Sequence, residues 1–203
     1  MSTPRIIDLG CRPFQPVHER MLQLHDSIRR GESAGEIWFV EHEPVYTAGR
    51  ATPPDQITAR TVEIERGGQV TYHGPGQLVV YPVVHLPRKD VRAWLRGLEA
   101  FGVAICSGVG LRGTASVDGT GVFVESRKVA SIGVAIRNWI NLHGIAVNVD
   151  MDLEPFGEIR PCGLDPAVLS DLTRETGRTV SLEEVRSIAR ECLGPLLASH
   201  TTG

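Results

Sequence analysis

The sequence predicts an α+β fold, and three observations carry that expectation. Short β-prone runs recur along the chain, while only a few stretches repeat apolar residues at helical spacing. Two of the runs, 122–125 and 129–136, flank a turn at Ser126-Arg127, so part of the sheet is expected to be hairpin.

Taken in order, residues 5–9 read as a short strand, broken by Cys11, Arg12, Pro13 and Pro16. Val17, Met21, Leu24 and Ile28 then recur at helical spacing, with Gly31 as the stop. Residues 37–41 read as a buried strand, followed by a loop at Glu43-Pro44, an exposed turn at Pro53-Pro54-Asp55 and a weakly alternating strand at 61–65. Asp90 caps a helix whose apolar face is Val91, Trp94, Leu95, Leu98 and Phe101; Gly102 is expected to end it, and 103–105 to return as a strand. The Gly-, Ser- and Thr-rich stretch 108–121 reads as loop, 142–149 as another strand, 156–166 as irregular, and 167–172 as a short helix. Ser181 and Glu184 have capping-box spacing, Val180 and Val185 can staple the last helix, and Leu182, Val185, Ala189, Cys192 and Leu196 line its inner face.

The chain's 203 residues carry no internal repeat, low-complexity tract or long linker, so one domain over 1–203 with a sizeable core is expected. No apolar run is long enough for a spanning helix, and the first residues lack the basic-then-apolar pattern of a signal peptide. A net charge of −3 argues against bulk attraction to nucleic acid or to an anionic membrane, and neither is expected as a partner. The four cysteines, Cys11, Cys106, Cys162 and Cys192, form no C-x-x-C pair, which fits a reducing, cytoplasmic setting. Cys106 and Cys192 read as buried small hydrophobes, and Cys11 sits among turn residues.

The most informative stretch runs Arg66-Gly67-Gly68-Gln69-Val70-Thr71-Tyr72-His73-Gly74-Pro75-Gly76-Gln77 and ends in the apolar run 78–81 before Pro82. Four glycines allow tight turns or a close approach to a ligand, and donors and acceptors stand between them. Residue chemistry alone leaves two readings open: a hairpin leading into a core strand, or a polar loop facing a substrate. Pro82 should close the strand or sit where no ladder donor is needed.

This stretch resembles the signature of the lipoyl/octanoyl transferases. Two further blocks agree in the same order. One is Glu41-His42-Glu43-Pro44-Val45-Tyr46-Thr47-Ala48-Gly49-Arg50. The other holds Lys128-Val129-Ala130-Ser131-Ile132-Gly133, His143-Gly144-Ile145-Ala146-Val147-Asn148 and Pro161-Cys162-Gly163-Leu164. The resemblance implies the biotin/lipoate protein ligase-like fold, a mixed, mainly antiparallel sheet with packed helices. It implies transfer of an octanoyl or lipoyl group from acyl carrier protein to a lysine of lipoyl domains. The acceptors would be the E2 subunits of 2-oxoacid dehydrogenases and the glycine cleavage H protein. It further implies Cys162 and Lys128 as the catalytic pair. The substrate-contacting residues would be Arg66, Gly67, Gly68, Gln69, Val70, Thr71, Tyr72, His73, Ser131, Ile132, Gly133, Gly144, Ile145 and Ala146. Ile145 and Ser131 depart from commoner family residues, as does the charged lead Glu125-Ser126-Arg127; these bear on tunnel shape and leave the reaction class unchanged.

The chemistry is consistent with those residue types. Pro161 and Gly163 place the Cys162 thiol on a constrained, low-bulk turn, good for presenting a nucleophile and equally a plain tight loop. A free thiol with a pKa near ~8.5 is only about 3% ionised at pH 7, so a nearby cation is needed to supply thiolate. Lys128 stands 34 positions earlier (162 − 128), so any pairing with it is tertiary; by spacing alone it is a lysine after a turn. The implied cycle passes through a Cys162 acyl-thioester, which the lysine amine then converts to an amide, Lys128 taking the amine's proton. Thioester to amide runs downhill, and no Walker-type phosphate loop is present, so no ATP, other cofactor or metal is expected. Burying six methylenes of the acyl chain is worth roughly 5 kcal/mol. Gly133, Gly144 and Ala146 suit a narrow tunnel or, equally, close strand packing. His73 reads as a hydrogen-bonding scaffold in the site, and His143 as a turn residue before its strand. The rivals are an ATP-dependent lipoate or biotin ligase on the same fold, a non-catalytic module that binds lipoyl domains or carrier protein, and a thioesterase.

Overall fold

The computed structural model of the chain describes residues 3–58, 60–116, 121–159 and 168–201, the last three by backbone. Its largest feature is a seven-stranded mixed sheet. The strand order is β1 (Arg5–Arg12), β2 (Glu36–His42), β6 (Gln77–Val83), β10 (Ile140–Asn148), β9 (Arg127–Arg137), β8 (Gly121–Val124) and β7 (Gly113–Ala115). β1 and β2 are parallel and every other pair in this sheet is antiparallel. A small second sheet has the order β4 (Thr61–Glu63), β3 (Val45–Ala48), β5 (Thr71–His73).

The centre of the large sheet follows from its most apolar runs. Ile37, Phe39, Leu78, Val80, Ile145 and Val147 point into one core cluster, while Trp38, Val40, Val79, Tyr81, Val83 and Ala146 point into the other. Strands covered on both faces read as unbroken apolar runs, and these three are adjacent in the sheet. Helix α1 (Phe14–Arg29) covers one face with Val17, Met21 and Ile28. Helices α2 (Val91–Gly108) and α4 (Leu182–Thr201) cover the other with Trp94, Leu98, Phe101, Ile105, Val185, Ala189 and Leu196.

The caps are local. Asp90 Oδ1 accepts from the Ala93 amide at 2.9 Å, and Ser181 Oγ accepts from the Glu184 amide at 3.1 Å. The Glu184 carboxylate also pairs with the Arg178 guanidinium at 2.6 Å, and Arg178 together with the Ser181 amide holds it below the ordinary carboxylate range. Val180 and Val185 are both fully buried, as a staple requires. Gly31 adopts φ 76° just past α1, the left-handed backbone a helix stop favours.

Several elements differ from the sequence reading: β1 runs on through Cys11 to Arg12, and β3 and β5 are strands that it did not contain. Gly102 does not end α2, which runs on through 103–105 to Gly108. A Cβ on Gly102 would lie 2.7 Å from Val122 Cγ2 and 2.8 Å from Ile145 Cδ1, so this glycine is a close helix–sheet contact inside the helix. Residues 113–115, read as loop, form edge strand β7. The short helix α3 is Leu172–Thr176, capped by Asp171 through the Arg174 amide at 2.8 Å; Leu169 is instead bridged to Lys128, and Ala167 lies outside the described residues. Finally, β6 continues through Pro82 to Val83; its ladder with β10 spans only 77–80, and the Pro82 carbonyl accepts from Asn141 Nδ2 at 2.7 Å. The hairpin between β8 and β9 is present, its turn at Glu125-Ser126 with Glu125 at φ 53°. Cys106 is buried and Cys192 half-buried against the α2/α4 core, while Cys11 is exposed on β1. No helix among the described residues is long and apolar enough to cross a membrane.

Candidate active site

Residues 66–73 wrap around β3, and Arg66 holds them there. Its guanidinium donates to the Thr47 carbonyl at 2.7 Å, to Thr47 Oγ1 at 3.0 Å, and to the carbonyls of Gln69 and Gly67 at 2.7 and 3.0 Å. Arg66 is 6% exposed, so an extended side chain is spent inside the loop, gathering carbonyls that the turn would otherwise leave without donors. Glycine is obligatory beside it: a Cβ on Gly49 would lie 2.4 Å from the Gly68 carbonyl oxygen.

The loop closes one side of a cavity of about 290 Å³. Arg66, Gly67, Gly68, Thr71 and His73 line it from the loop and β5, Ser131, Ile132 and Gly133 from β9, and Gly144, Ile145 and Ala146 from β10. Eleven of the fourteen substrate-contacting residues the resemblance implied thus surround one space. Gln69, Val70 and Tyr72 do not line it. Val70 is fully buried, Gln69 lends its carbonyl to Arg66, and Tyr72 packs on Tyr46 and Phe156 with ring centroids 5.3 and 5.5 Å apart. The wall is completed by residues the sequence reading missed, chiefly Phe14, Val79, Tyr81, Val91, Leu95 and His143. Strand periodicity could have paired Val79 with Tyr81, since both lie on one side of β6; nothing local marks Phe14 or Leu95, which arrive from α1 and α2.

Histidines ring one side of this space, and burial keeps them neutral. His73 is pushed down to about 3 by burial, with His42 nearby adding to the effect. His42 is pushed down to about 4 by burial, against a hydrogen bond to the Arg12 carbonyl. The contacts fix the tautomers: His42 Nδ1 donates to Arg12 O at 3.0 Å, leaving Nε2 to accept from the Tyr81 hydroxyl at 3.0 Å. His73 Nδ1 donates to Gln77 Oε1 at 2.7 Å. The chain continues as Gln77 Nε2 donates to Asn148 Oδ1 at 3.0 Å, and Asn148 Nδ2 donates to the Ser170 carbonyl at 2.9 Å. His73, on β5, is thus tied by hydrogen bonds into the interior. His143 is not in a turn: it sits within β10 at φ 62°, 2% exposed, edge-on to Tyr81.

Lys128 lies on β9 and is 2% exposed, a rare degree of burial for lysine. Its Nζ lies 5.9 Å from the centre of the Phe123 ring, and a Cβ on Gly121 would meet its Cε at 2.5 Å. Leu169 forms a parallel bridge with Lys128, and the Ser170 amide donates to the Lys128 carbonyl at 3.0 Å. Cys162, with Pro161, Gly163 and Leu164, lies outside the described residues.

This architecture belongs to a known class: the chain is a member of the lipoyl protein ligase A/B catalytic domain family, whose model matches residues 18–194. It is 40% identical over 191 residues to an octanoyltransferase of Pseudomonas entomophila, covering 91% of this chain and 88% of that protein. With such relatives the enzyme is an acyltransferase. Its fold is that of the lipoate and biotin protein ligases. The bipartite lipoate protein ligase of Thermoplasma acidophilum, solved in a study that includes its E2 lipoyl domain, superposes with a TM-score of 0.75 at 17% identity, over 98% of this chain and 85% of that one. The biotin protein ligase of Aquifex aeolicus superposes at 0.54 and 13% identity, over 97% and 70%.

Proposed function

We propose that this chain, as one domain acting in the cytoplasm, moves an octanoyl group from acyl carrier protein to a lysine of lipoyl domains by way of a Cys162 thioester. The Cys162 thiolate attacks the thioester carbonyl, and the carrier's thiol leaves with the electron pair of the broken C–S bond. The lysine amine then attacks the new thioester, the Cys162 sulfur leaves, and an amide remains. The Lys128 ammonium favours the Cys162 thiolate in the first step and gives its proton to the departing carrier thiolate; now neutral, it takes the amine's proton in the second. The octanoyl chain occupies the cavity walled by residues 66–73, β9 and β10. The acceptors are the E2 lipoyl domains and the glycine cleavage H protein.

The observation that supports this reading best is the burial of Lys128 on a strand bridged to residues 169–170, which follow the Cys162 segment. A volume of about 290 Å³ is at the small end for ligand sites and suits a short acyl chain. The test is intact-mass analysis after incubation with octanoyl-acyl carrier protein, without ATP. A single octanoyl adduct is expected on the native chain and none on Cys162→Ala; an adduct formed at an undiminished rate by the variant ends the mechanism. Modification of a lipoyl domain only with free octanoate plus ATP would identify a ligase instead.

A further inference from the structure

Three side chains converge beside the cavity, one of them in its wall. His18 comes from α1, Glu65 from the residue before Arg66, and His143 from β10. Each offers one ligand atom, and those atoms all lie within 4.8 Å of one another. His18 Nε2 is 3.0 Å from Glu65 Oε2, and His143 Nε2 is 3.3 Å from Glu65 Oε1. Two imidazoles thus address the two oxygens of a single carboxylate.

Two details separate this cluster from an ordinary hydrogen-bonded triad. The His143 Nε2 and Glu65 Oε1 atoms are buried, and despite their proximity neither makes a well-directed hydrogen bond. A buried polar atom left in that state is costly, so the pair is poised for a better partner. The rings are also pre-set. His18 stacks on Phe14 and on His143, with centroids 5.5 and 5.6 Å apart, and Tyr81 holds His143 edge-on at 6.0 Å.

We propose that His18, Glu65 and His143 bind one divalent transition-metal ion of the zinc or cobalt class. Nitrogen and oxygen ligands at ~2.0–2.2 Å from such an ion stand roughly 3.3 Å apart in tetrahedral geometry; the two histidine–carboxylate spacings are 3.0 and 3.3 Å, and all three ligand atoms lie within 4.8 Å, so a small side-chain adjustment brings them onto one ion. Two histidines and one carboxylate leave an open position for water. Calcium and magnesium are disfavoured, because two of the three ligands are nitrogen. The Arg66 charge near His143 opposes any cation, but its guanidinium is engaged by the Thr47, Gln69 and Gly67 carbonyls, which soften it. No sequence spacing announces this site, since positions 18, 65 and 143 meet only in the fold.

The test is titration of the full chain, stripped with chelator and thiol-alkylated, with Co²⁺ alone. Saturating d–d absorption at one equivalent is expected, together with a raised melting temperature and displacement by Zn²⁺. His18→Asn, a half-buried helix position, should keep the native circular dichroism and lose the absorption. His143→Gln should lose it too. No saturable absorption in the native chain, or unchanged absorption in folded His18→Asn, overturns the site. Neither readout depends on acyl transfer.

Discussion

The Ser170 amide donates to the Lys128 carbonyl at 3.0 Å, and Leu169 bridges the same residue. Two stretches far apart in sequence are thereby laid side by side, with a buried lysine on one of them. Ser170 also accepts, through its carbonyl, the last hydrogen bond of the chain that starts at His73. The cavity-lining loop and the Lys128 strand are therefore positioned against each other by a continuous buried polar path.

Removing the amine while keeping the bulk isolates its role. Lys128→Met should fold, because an apolar side chain fits beside Phe123 at least as well as a buried ammonium. Formation of the octanoyl adduct, followed by quenched-flow mass spectrometry, should slow by about 10²–10⁴-fold. A rate within a few-fold of native would remove Lys128 from the mechanism.

The buried histidines predict an acid limit to stability. His42 and His73 are held near about 4 and about 3, below the ordinary 6.5. The folded chain then binds fewer protons than the unfolded chain, so their contribution is complete above pH 6.5 and is lost as pH falls. For His42 the loss is finished near pH 4, and for His73 near pH 3. Urea midpoints measured from pH 7 to 4 should fall steeply, and His42→Gln should flatten part of that slope. An unchanged slope in the variant would exclude His42 as a contributor.

Gly102→Ala tests packing against propensity. Alanine gains about 1 kcal/mol in a helix interior, but its Cβ would meet Val122 and Ile145 at 2.7 and 2.8 Å. Overpacking of this kind costs about 1–3 kcal/mol, so net destabilisation of about 1 kcal/mol is expected in urea. Ile145 also lines the cavity, so competition between acyl chains should shift toward shorter donors. A stabilised variant with native selectivity would contradict both expectations.

The two glycines facing each other across β9 and β10 should behave differently. At Gly144 a Cβ would lie 2.2 Å from the Val80 carbonyl oxygen, which is backbone in the middle of the sheet; Gly144→Ala should cost about 3 kcal/mol or more and yield little soluble protein. At Gly133 the nearest atom is Arg66 Cδ at 3.0 Å, the stem of a long side chain. Gly133→Ala should fold, and should raise the KM for the octanoyl donor by crowding the cavity. Circular dichroism with steady-state kinetics distinguishes the two outcomes.

Much of this protein could be read along the chain because the signals are local. Asp90, Ser181 and Gly31 act on amides within one turn, and the apolar runs of β2, β6 and β10 are apolar throughout because both of their faces are covered. The motif blocks were legible for the same reason, and eleven of the fourteen substrate-contacting residues they implied surround one cavity. What failed were positions whose residue type is set by a distant neighbour. Gly102 looked like a helix end, yet it is small because Val122 and Ile145 press on it. His143 looked like a turn, yet it lies within β10 at φ 62°, buried beside Tyr81 and His18. By itself the sequence determined the elements, the family and the chemical types available. Only the tertiary structure decided which of them meet: Phe14 and Leu95 at the cavity wall, Lys128 beside 169–170, and His18, Glu65 and His143 around one point. Such meetings depend on chain closure over tens of residues, which no local propensity encodes.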